Sequence, residues 1–509
     1  MADNSKNNKR IAKNAIYLYM RMFFMMAIAL YTSRVILDVL GVDDYGIYNV
    51  VGSIASSFIL LSSTLSNATQ RYLNYEMGSG NTTRLGQVFN MSILIYFVFA
   101  LVSLLFIELG GRWMIYNKLT IPADRIDAAL WVLHSTSITL FITLMSTVYE
   151  SVLIARENMK VYAYIGIYDA IMRLVIVLLI SVLSFDKLKI YAVFVTLVIL
   201  SERIIPVYYT IKNYEETKLK YFWDKHRFIE MFKFTGWNFL GTSVFILNDQ
   251  GINILLNMFF GPVVNAARAL SVHVKQAVTN FATGFFTAVR PQIVKSYASG
   301  EIQYFTKLIY NSSKYSFFLL WIICLPVMIR IESLLGFWLK EVPDLTGQFV
   351  IWILIFSLIN SLCDPFWQAI QAVGNLSKYV MIGSFVYLLA FPLSWAAFRM
   401  GGSAILTFQI LAIVRLIYLG VVITIFKQYV SISIVQYFKD VISPIIVVVV
   451  STTASSIFID KFLPESFVFS ILSCGIAFIT ASACIISFGI DKSERNRLFK
   501  VIKKRVCKR

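Results

Sequence analysis

Charge is scarce in this chain: Asp, Glu, Lys and Arg together make up 15% of its 509 residues, against about a quarter in an average soluble domain. Its three histidines, His134, His226 and His273, are scattered and outline no metal site. The five cysteines, Cys324, Cys363, Cys474, Cys484 and Cys507, show no CxxC spacing, which argues against both a disulfide framework and zinc. The signatures of membrane enzymes are missing too: there is no GxSxG, no HExxH, no Walker A lysine and no pair of catalytic carboxylates on a large outer domain. No segment between apolar runs is long enough to house an ATPase or an extracytoplasmic catalytic domain. The composition therefore points away from enzymes, with no metal or cofactor expected, and toward a transporter without its own ATP engine.

What is present is apolar surface. The mean hydropathy is +0.71 and 58% of residues are hydrophobic, in runs long enough to cross a bilayer as helices. Fourteen spans are predicted, at 14–37, 46–69, 87–109, 128–150, 161–184, 189–211, 233–256, 264–289, 309–330, 347–371, 378–398, 403–426, 438–459 and 466–488. The polar, basic N-terminus leads into a retained first span rather than a cleaved signal. The net charge of +18 is explained by orientation. With the N-terminus inside, roughly two-thirds of the Lys and Arg fall in cytoplasmic segments, the asymmetry of the positive-inside rule, which sets both termini in the cytoplasm. Nucleic acid needs no place in this account. The basic tail from Lys492 to Arg509 serves topology and meets anionic headgroups.

The expected fold is an all-α polytopic membrane protein of two pseudo-symmetric six-helix bundles with two added helices. The parts are an N-terminal bundle (1–212), a cytoplasmic amphipathic linker (213–232) with Tyr221, Phe228 and Phe232 on one side, a second bundle (233–430), two further helices (431–490) and the basic tail (491–509). A shift of 220 residues lays Gly41 on Gly261 and Ser79-Gly80 on Ser299-Gly300, the mark of parallel repeats with a binding site between them near the midplane. Spans thirteen and fourteen carry no Lys, Arg, Asp or Glu in their interiors, which suits a lipid-facing addition or a groove for a lipid tail.

Ionisable residues inside spans are costly and concentrate at functional sites. Several have partners in reach and read as structural ion pairs: Arg34 with Asp38 and Asp169 with Arg173, each one helical turn apart, and Glu202 beside Arg203. Glu150 has no local partner. Arg21, Arg268, Lys275 and Arg415 are left as cations, and Asp249 and Asp364 as acids where a proton or sodium gradient would couple. Arg268 and Lys275 are two helical turns apart on one face of span eight, which Thr279 shares. Polar residues also line span two (Asn49, Ser53, Ser56, Ser57, Ser62, Ser63, Ser66, Asn67), span seven (Asn248, Gln250, Asn253, Asn257) and span ten (Asn360, Gln368, Gln371, with a kink at Pro365). Guanidinium groups match phosphate oxygens in a bidentate way, so the cationic excess favours an anionic, phosphate-bearing substrate.

The segments LGVDDYGIYNVV (40–51), QRYLNYEMGSG (70–80) and AVRPQIVKSYASGE (288–301) resemble the polysaccharide flippases of the multidrug/oligosaccharidyl-lipid/polysaccharide exporter superfamily, particularly the Bacteroidetes type. The resemblance covers the whole chain. It implies a flippase of the inner membrane that moves undecaprenyl-diphosphate-linked oligosaccharide by alternating access. The pathway would be O-antigen or capsule synthesis, with polymerase and glycosyltransferases as partners. Relatives that flip the peptidoglycan precursor use arginines on the first and eighth helices, which points to Arg21 and Arg268. A cation-coupled multidrug exporter of the same fold is the main rival; the cationic excess counts against it.

Overall fold

The structure is a computed structural model that describes residues 26–490 apart from 79–81, 157, 184, 221, 226–228, 230–243, 245, 247, 374–376, 429, 431 and 465, together with residue 495. Arg21, Ser79, Gly80, Tyr221, Phe228, Phe232 and the tail apart from Arg495 lie outside the described residues. So do the side chains of Ser56, Ser57, Ser62, Ser63, Asn67 and Gln371.

In hydrocarbon every backbone N–H and C=O must be satisfied within its own segment, so apolar runs of this length become helices. The described residues form no strand. In chain order the helices of ten or more residues among the described residues are α1 (26–40), α2 (Val42–Gly78), α3 (Thr82–Phe106), α4 (Ile126–Ala155), α5 (Met159–Val182), α6 (Lys187–Asn213), α7 (248–260), α8 (Pro262–Ala298) and α9 (Ile302–Ile329). They continue with α10 (Thr346–Val373), α11 (Ser377–Leu388), α12 (Ala390–Arg399), α13 (Ile405–Phe426), α14 (Ser443–Asp460) and α15 (Phe467–Cys484). Ten spans among the described residues are long and apolar enough to cross a membrane. The chain is thus a multi-pass membrane protein. The remaining sequence-predicted spans, 14–37, 46–69, 233–256 and 264–289, contain residues whose backbone or side chains lie outside the description.

Two compact units are present, Met1–Leu270 and Ser271–Arg509, with their boundary inside α8. The first unit is organised on α4, which packs against α2, α3 and α6. Leu133, Leu140, Leu144, Val148 and Val152 of α4 are fully buried. Its buried hydroxyls mostly bond back onto their own helix, Ser137 to the Leu133 carbonyl at 2.8 Å and Thr147 to that of Thr143 at 2.7 Å. Ser151 Oγ also lies 2.8 Å from Ser66 Oγ on α2. Back-bonded small polar residues let helices approach without leaving an orphan donor, which is how lipid-embedded helices pack in the absence of a hydrophobic drive.

In the second unit α10 packs against α9 and α13, and α15 against α9 and α14. The two last helices bury small or hydroxylic positions, Thr452, Ser456, Ser470, Ser473, Ala477 and Ala481, while Val450, Phe458, Val468 and Ile479 are exposed. That division is expected of helices whose broad apolar face meets lipid.

The repeat is visible in the element boundaries. Gly41 and Gly261 both take the left-handed conformation, with φ of +80° and +82°, which only glycine adopts cheaply. Each is followed at once by a 37-residue helix. At the same offset α3 starts at Thr82 and α9 at Ile302, and α4 at Ile126 and α10 at Thr346.

At one end of the first unit Arg125 clamps two carboxylates. It donates to Asp44 Oδ1 at 2.8 Å and Oδ2 at 2.5 Å, and to Asp186 Oδ2 at 3.0 Å and Oδ1 at 3.2 Å. Asp186 also caps α6, accepting the N–H groups of Leu188 and Lys189. Burial works against its charged form. The Arg125 hydrogen bond, the Lys189 N–H and the charges of Arg125 and Lys189 outweigh that and hold the carboxyl below the ordinary aspartate range. Asp44 and Arg125 face it, and Lys189 pairs with Asp127. A depressed carboxylate adds stability above its unfolded pKa, and that stability is lost as pH falls through the folded one. Asp186→Asn is therefore expected to melt below wild type at neutral pH. The gap should close as pH falls through the acid range below about 4, a trend that melting curves of the purified protein at stepped pH would show.

Candidate functional site

The turn between α7 and α8 is tied down residue by residue. Gly261 turns the chain and Pro262 opens α8, where its missing N–H costs nothing. Asn257 accepts the Thr120 N–H at 2.8 Å. Asn265 Nδ2 reaches back to α7, donating to the Asn253 carbonyl at 2.7 Å and to its Oδ1 at 2.8 Å. One turn further along α8, Arg268 Nη2 donates to the Asp249 carbonyl and to its Oδ1, both at 2.9 Å. These rungs join α7 and the start of α8 into one polar hairpin within the first unit.

Arg268 thus has a partner that a count of charges along the sequence does not give it. Its side chain is 9% exposed, whereas that of Asp249 is 49% exposed: the guanidinium is buried and the carboxylate half-exposed. Asp249, expected as an ion-coupling acid, is an ion-pair partner in this structure. Lys275, two turns beyond Arg268 on α8, sets its ammonium 5.2 Å from the centre of the Phe356 ring of α10, a cation–π contact. Its carbonyl accepts from Thr279 Oγ1 at 2.9 Å.

On α10, Asn360 Nδ2 donates to both oxygens of Asp364 at 3.2 Å. One turn on, Gln368 has a buried Oε1 with no hydrogen-bond partner among the described residues. Arg415 of α13 is 8% exposed. It stacks on Tyr418 at 4.4 Å and lies 5.9 Å from Tyr387, with its buried Nε making no hydrogen bond to the described residues. Stacking on aromatic faces is how a guanidinium is kept in a site of few acceptors. Gly383 makes room for this stack, since a Cβ there would lie 2.7 Å from the Tyr418 ring.

The remaining charges form a separate group in the first unit. Asp169 accepts from Arg173 at 2.7 Å. Arg203 pairs with Glu150 and lies 3.6 Å from Glu202, so the partner missing for Glu150 in the sequence comes from α6. Arg34 and Asp38 lie one turn apart on α1, Arg34 half-buried and Asp38 exposed. Two buried cations escape a sequence reading. Lys314, within the predicted span 309–330, is 2% exposed on α9. Arg330 bonds Asp460 at 2.6 Å across 130 residues, and Ser473 Oγ donates to the same Asp460 oxygen at 2.5 Å. Lysine within five residues of a predicted span end is the signal that could have marked Lys314.

The second unit also holds a cavity of about 1000 Å³ between α9, α10 and α14. Its walls are apolar, among them Phe317, Trp321, Ile355 and Val449, and one end carries Arg330, Asp460 and Lys461.

No family model matches this chain, and no curated protein does. Among solved structures it shares its fold with a lipid II flippase, MurJ, in an inward closed conformation. The TM-score is 0.73 at 13% identity, over 93% of this chain and 99% of that one. The chain has the flippase and multidrug-transporter fold. An inward-facing multidrug resistance MATE family transporter of the MOP superfamily aligns with a TM-score of 0.64 at 11% identity, over 78% of this chain and 92% of that one. A crystal structure of a mutant MATE protein aligns with a TM-score of 0.55 at 12% identity, over 80% and 93%.

Proposed function

We propose that the chain is a flippase that carries undecaprenyl-diphosphate-linked oligosaccharide repeat units across the inner membrane by alternating access, for a surface polysaccharide such as O-antigen. The observation that carries this reading is Arg268 and Lys275 on one face of a 37-residue helix, in a chain whose fold is shared with a lipid II flippase. A diphosphate is the part of such a substrate that needs cations, and an arginine already held by a carboxylate is oriented before the substrate arrives. Arg21, where the resemblance places a first-helix arginine, and Arg415 complete the cationic set. The apolar cavity of about 1000 Å³ suits part of the polyprenyl chain, which gains about 0.8 kcal/mol per buried methylene relative to water and little relative to lipid. It would serve to guide the chain rather than to hold it.

A second reading, a cation-coupled multidrug exporter, draws on the half-exposed Asp249 carboxylate and on the likeness to MATE transporters. The two separate in a deletion strain. Loss of the chain is expected to accumulate undecaprenyl-diphosphate oligosaccharide and deplete surface glycan. Wild type should restore both, and Lys275→Gln should leave most of the defect. Unchanged surface glycan with altered sensitivity to cationic drugs would replace the flippase by the exporter.

A further inference from the structure

A second cavity, about 790 Å³, opens at the end of the first unit where α3 begins and α4 ends. By the charge asymmetry of the chain this end faces the cytoplasm. Three segments supply its walls: Thr82, Thr83 and Asn90 from α3, Arg156 at the end of α4, and Lys218 and Lys220 from the stretch after α6. The walls are built rather than incidental. Asn90 holds the last stretch in place, accepting the Lys220 N–H at 2.8 Å and donating to the Lys218 carbonyl at 3.4 Å. Arg156 donates through Nε and Nη2 to Glu216 Oε1, at 3.0 and 2.5 Å, and lies 5.3 Å from the centre of the Tyr214 ring. Its plane is thereby fixed, and Nη1 is engaged by no described group.

The charges at this cavity are not balanced. Glu216 is matched by Arg156 and Glu215 by Lys218 at 3.5 Å, whereas Lys220 makes no ion pair among the described residues. The start of a 25-residue helix adds partial positive charge, and two threonine hydroxyls stand beside it. The stretch that carries Lys218 and Lys220 supplies an independent indication of the ligand. Lys218, Leu219, Lys220 and Trp223 follow one another closely, and Leu219 is 66% and Trp223 50% exposed. Lysines interleaved with exposed apolar and indole side chains are the composition of a segment lying at the headgroup level of a bilayer.

We infer that this cavity binds the phosphodiester of an anionic glycerophospholipid of the inner leaflet. Arg156 Nη1 and Lys220 Nζ meet the phosphate oxygens, the Thr82 and Thr83 hydroxyls meet the glycerol portion, and the acyl chains run along Leu219 and Trp223. The site is distinct from the cationic face of α8, and it stands whether or not the chain is a flippase.

The test uses the full-length protein purified in detergent and mixed with phosphatidylglycerol or phosphatidylcholine, with bound lipid counted by native mass spectrometry. Phosphatidylglycerol should be retained at least about tenfold better. Removing one surface cation is worth about 1 kcal/mol, so Lys220→Gln should lower retention about fivefold. Arg156→Gln with Lys220→Gln should abolish the preference, and Lys187→Gln at the other end should leave it intact. Since Arg156→Gln strips Glu216 of its partner, Lys220→Gln alone decides the matter if the double variant does not fold. Equal retention of the two lipids, or no effect of Lys220→Gln, overturns the site. Full displacement of the lipid by soluble glycerol phosphate overturns the lipid assignment in favour of a free phosphate compound.

Discussion

Gly46→Val is expected to yield a protein that melts far below wild type and accumulates poorly in the membrane, while Gly52→Ala, six residues along the same helix, is tolerated. A Cβ at Gly46 would stand 2.0 Å from the Pro262 carbonyl oxygen, 2.6 Å from its carbon and 3.0 Å from Pro262 Cβ. Two of those atoms are backbone, at the first residue of α8, and no rotamer change relieves the clash. The chain around Gly261 and Pro262 would have to withdraw, straining the Asn257–Thr120 and Asn253–Asn265 hydrogen bonds that dock it. Overpacking in a close contact costs about 1–3 kcal/mol and occasionally more; the backbone contact puts this case at or above the top of that range. At Gly52 a Cβ would meet nothing within 4 Å, and replacing a helical glycine by alanine gains about 0.5–1 kcal/mol. Thermal melts of the two variants beside wild type in one detergent provide the check. Equal melting of Gly46→Val and wild type would mean that the α2–α8 approach is not a feature of the folded protein.

That approach illustrates what can and cannot be read from this sequence. The helices are legible because bilayer-length apolar runs have one solution. The repeat is legible because two left-handed turns need glycine at Gly41 and Gly261, and the offset between them recurs in the starts of three helix pairs. Gly46 carries no such mark, since its reason is a neighbour more than two hundred residues away. The same holds for charge. Asp169 and Arg173 are one turn apart, and the helix alone brings them together. Glu150 with Arg203, Asp249 with Arg268 and Arg330 with Asp460 meet only when helices pack. A count along the chain therefore overstates the number of unmatched cations. It does locate them, because a membrane helix has few reasons to carry an arginine.

Arg268 is expected to prove necessary for transport in a variant whose fold no longer depends on its charge. Arg268→Gln alone cannot show this, because it takes from Asp249 its cation and two hydrogen bonds of 2.9 Å. Charged hydrogen bonds contribute about 1.5–3 kcal/mol each, although the half-exposed carboxylate can recover part of that loss by hydration. Arg268→Gln with Asp249→Asn replaces the ion pair by two amides that can still bond each other and removes its two charges together. If Arg268 serves only to dock α8 on α7, this double variant should fold and transport nearly as wild type does. If its guanidinium also meets a substrate diphosphate, the fold should survive and transport of a lipid-linked oligosaccharide in reconstituted vesicles should fall by about 10–100-fold, the kinetic equivalent of one charged hydrogen bond. Lys275→Gln gives the companion measurement. A transport defect in Lys275→Gln as large as that of the double variant, with little change in melting, would assign both positions to the substrate. Loss in Lys275→Gln but not in the double variant would leave Arg268 a structural residue and move the phosphate contact one helical turn or more along α8 toward Lys275.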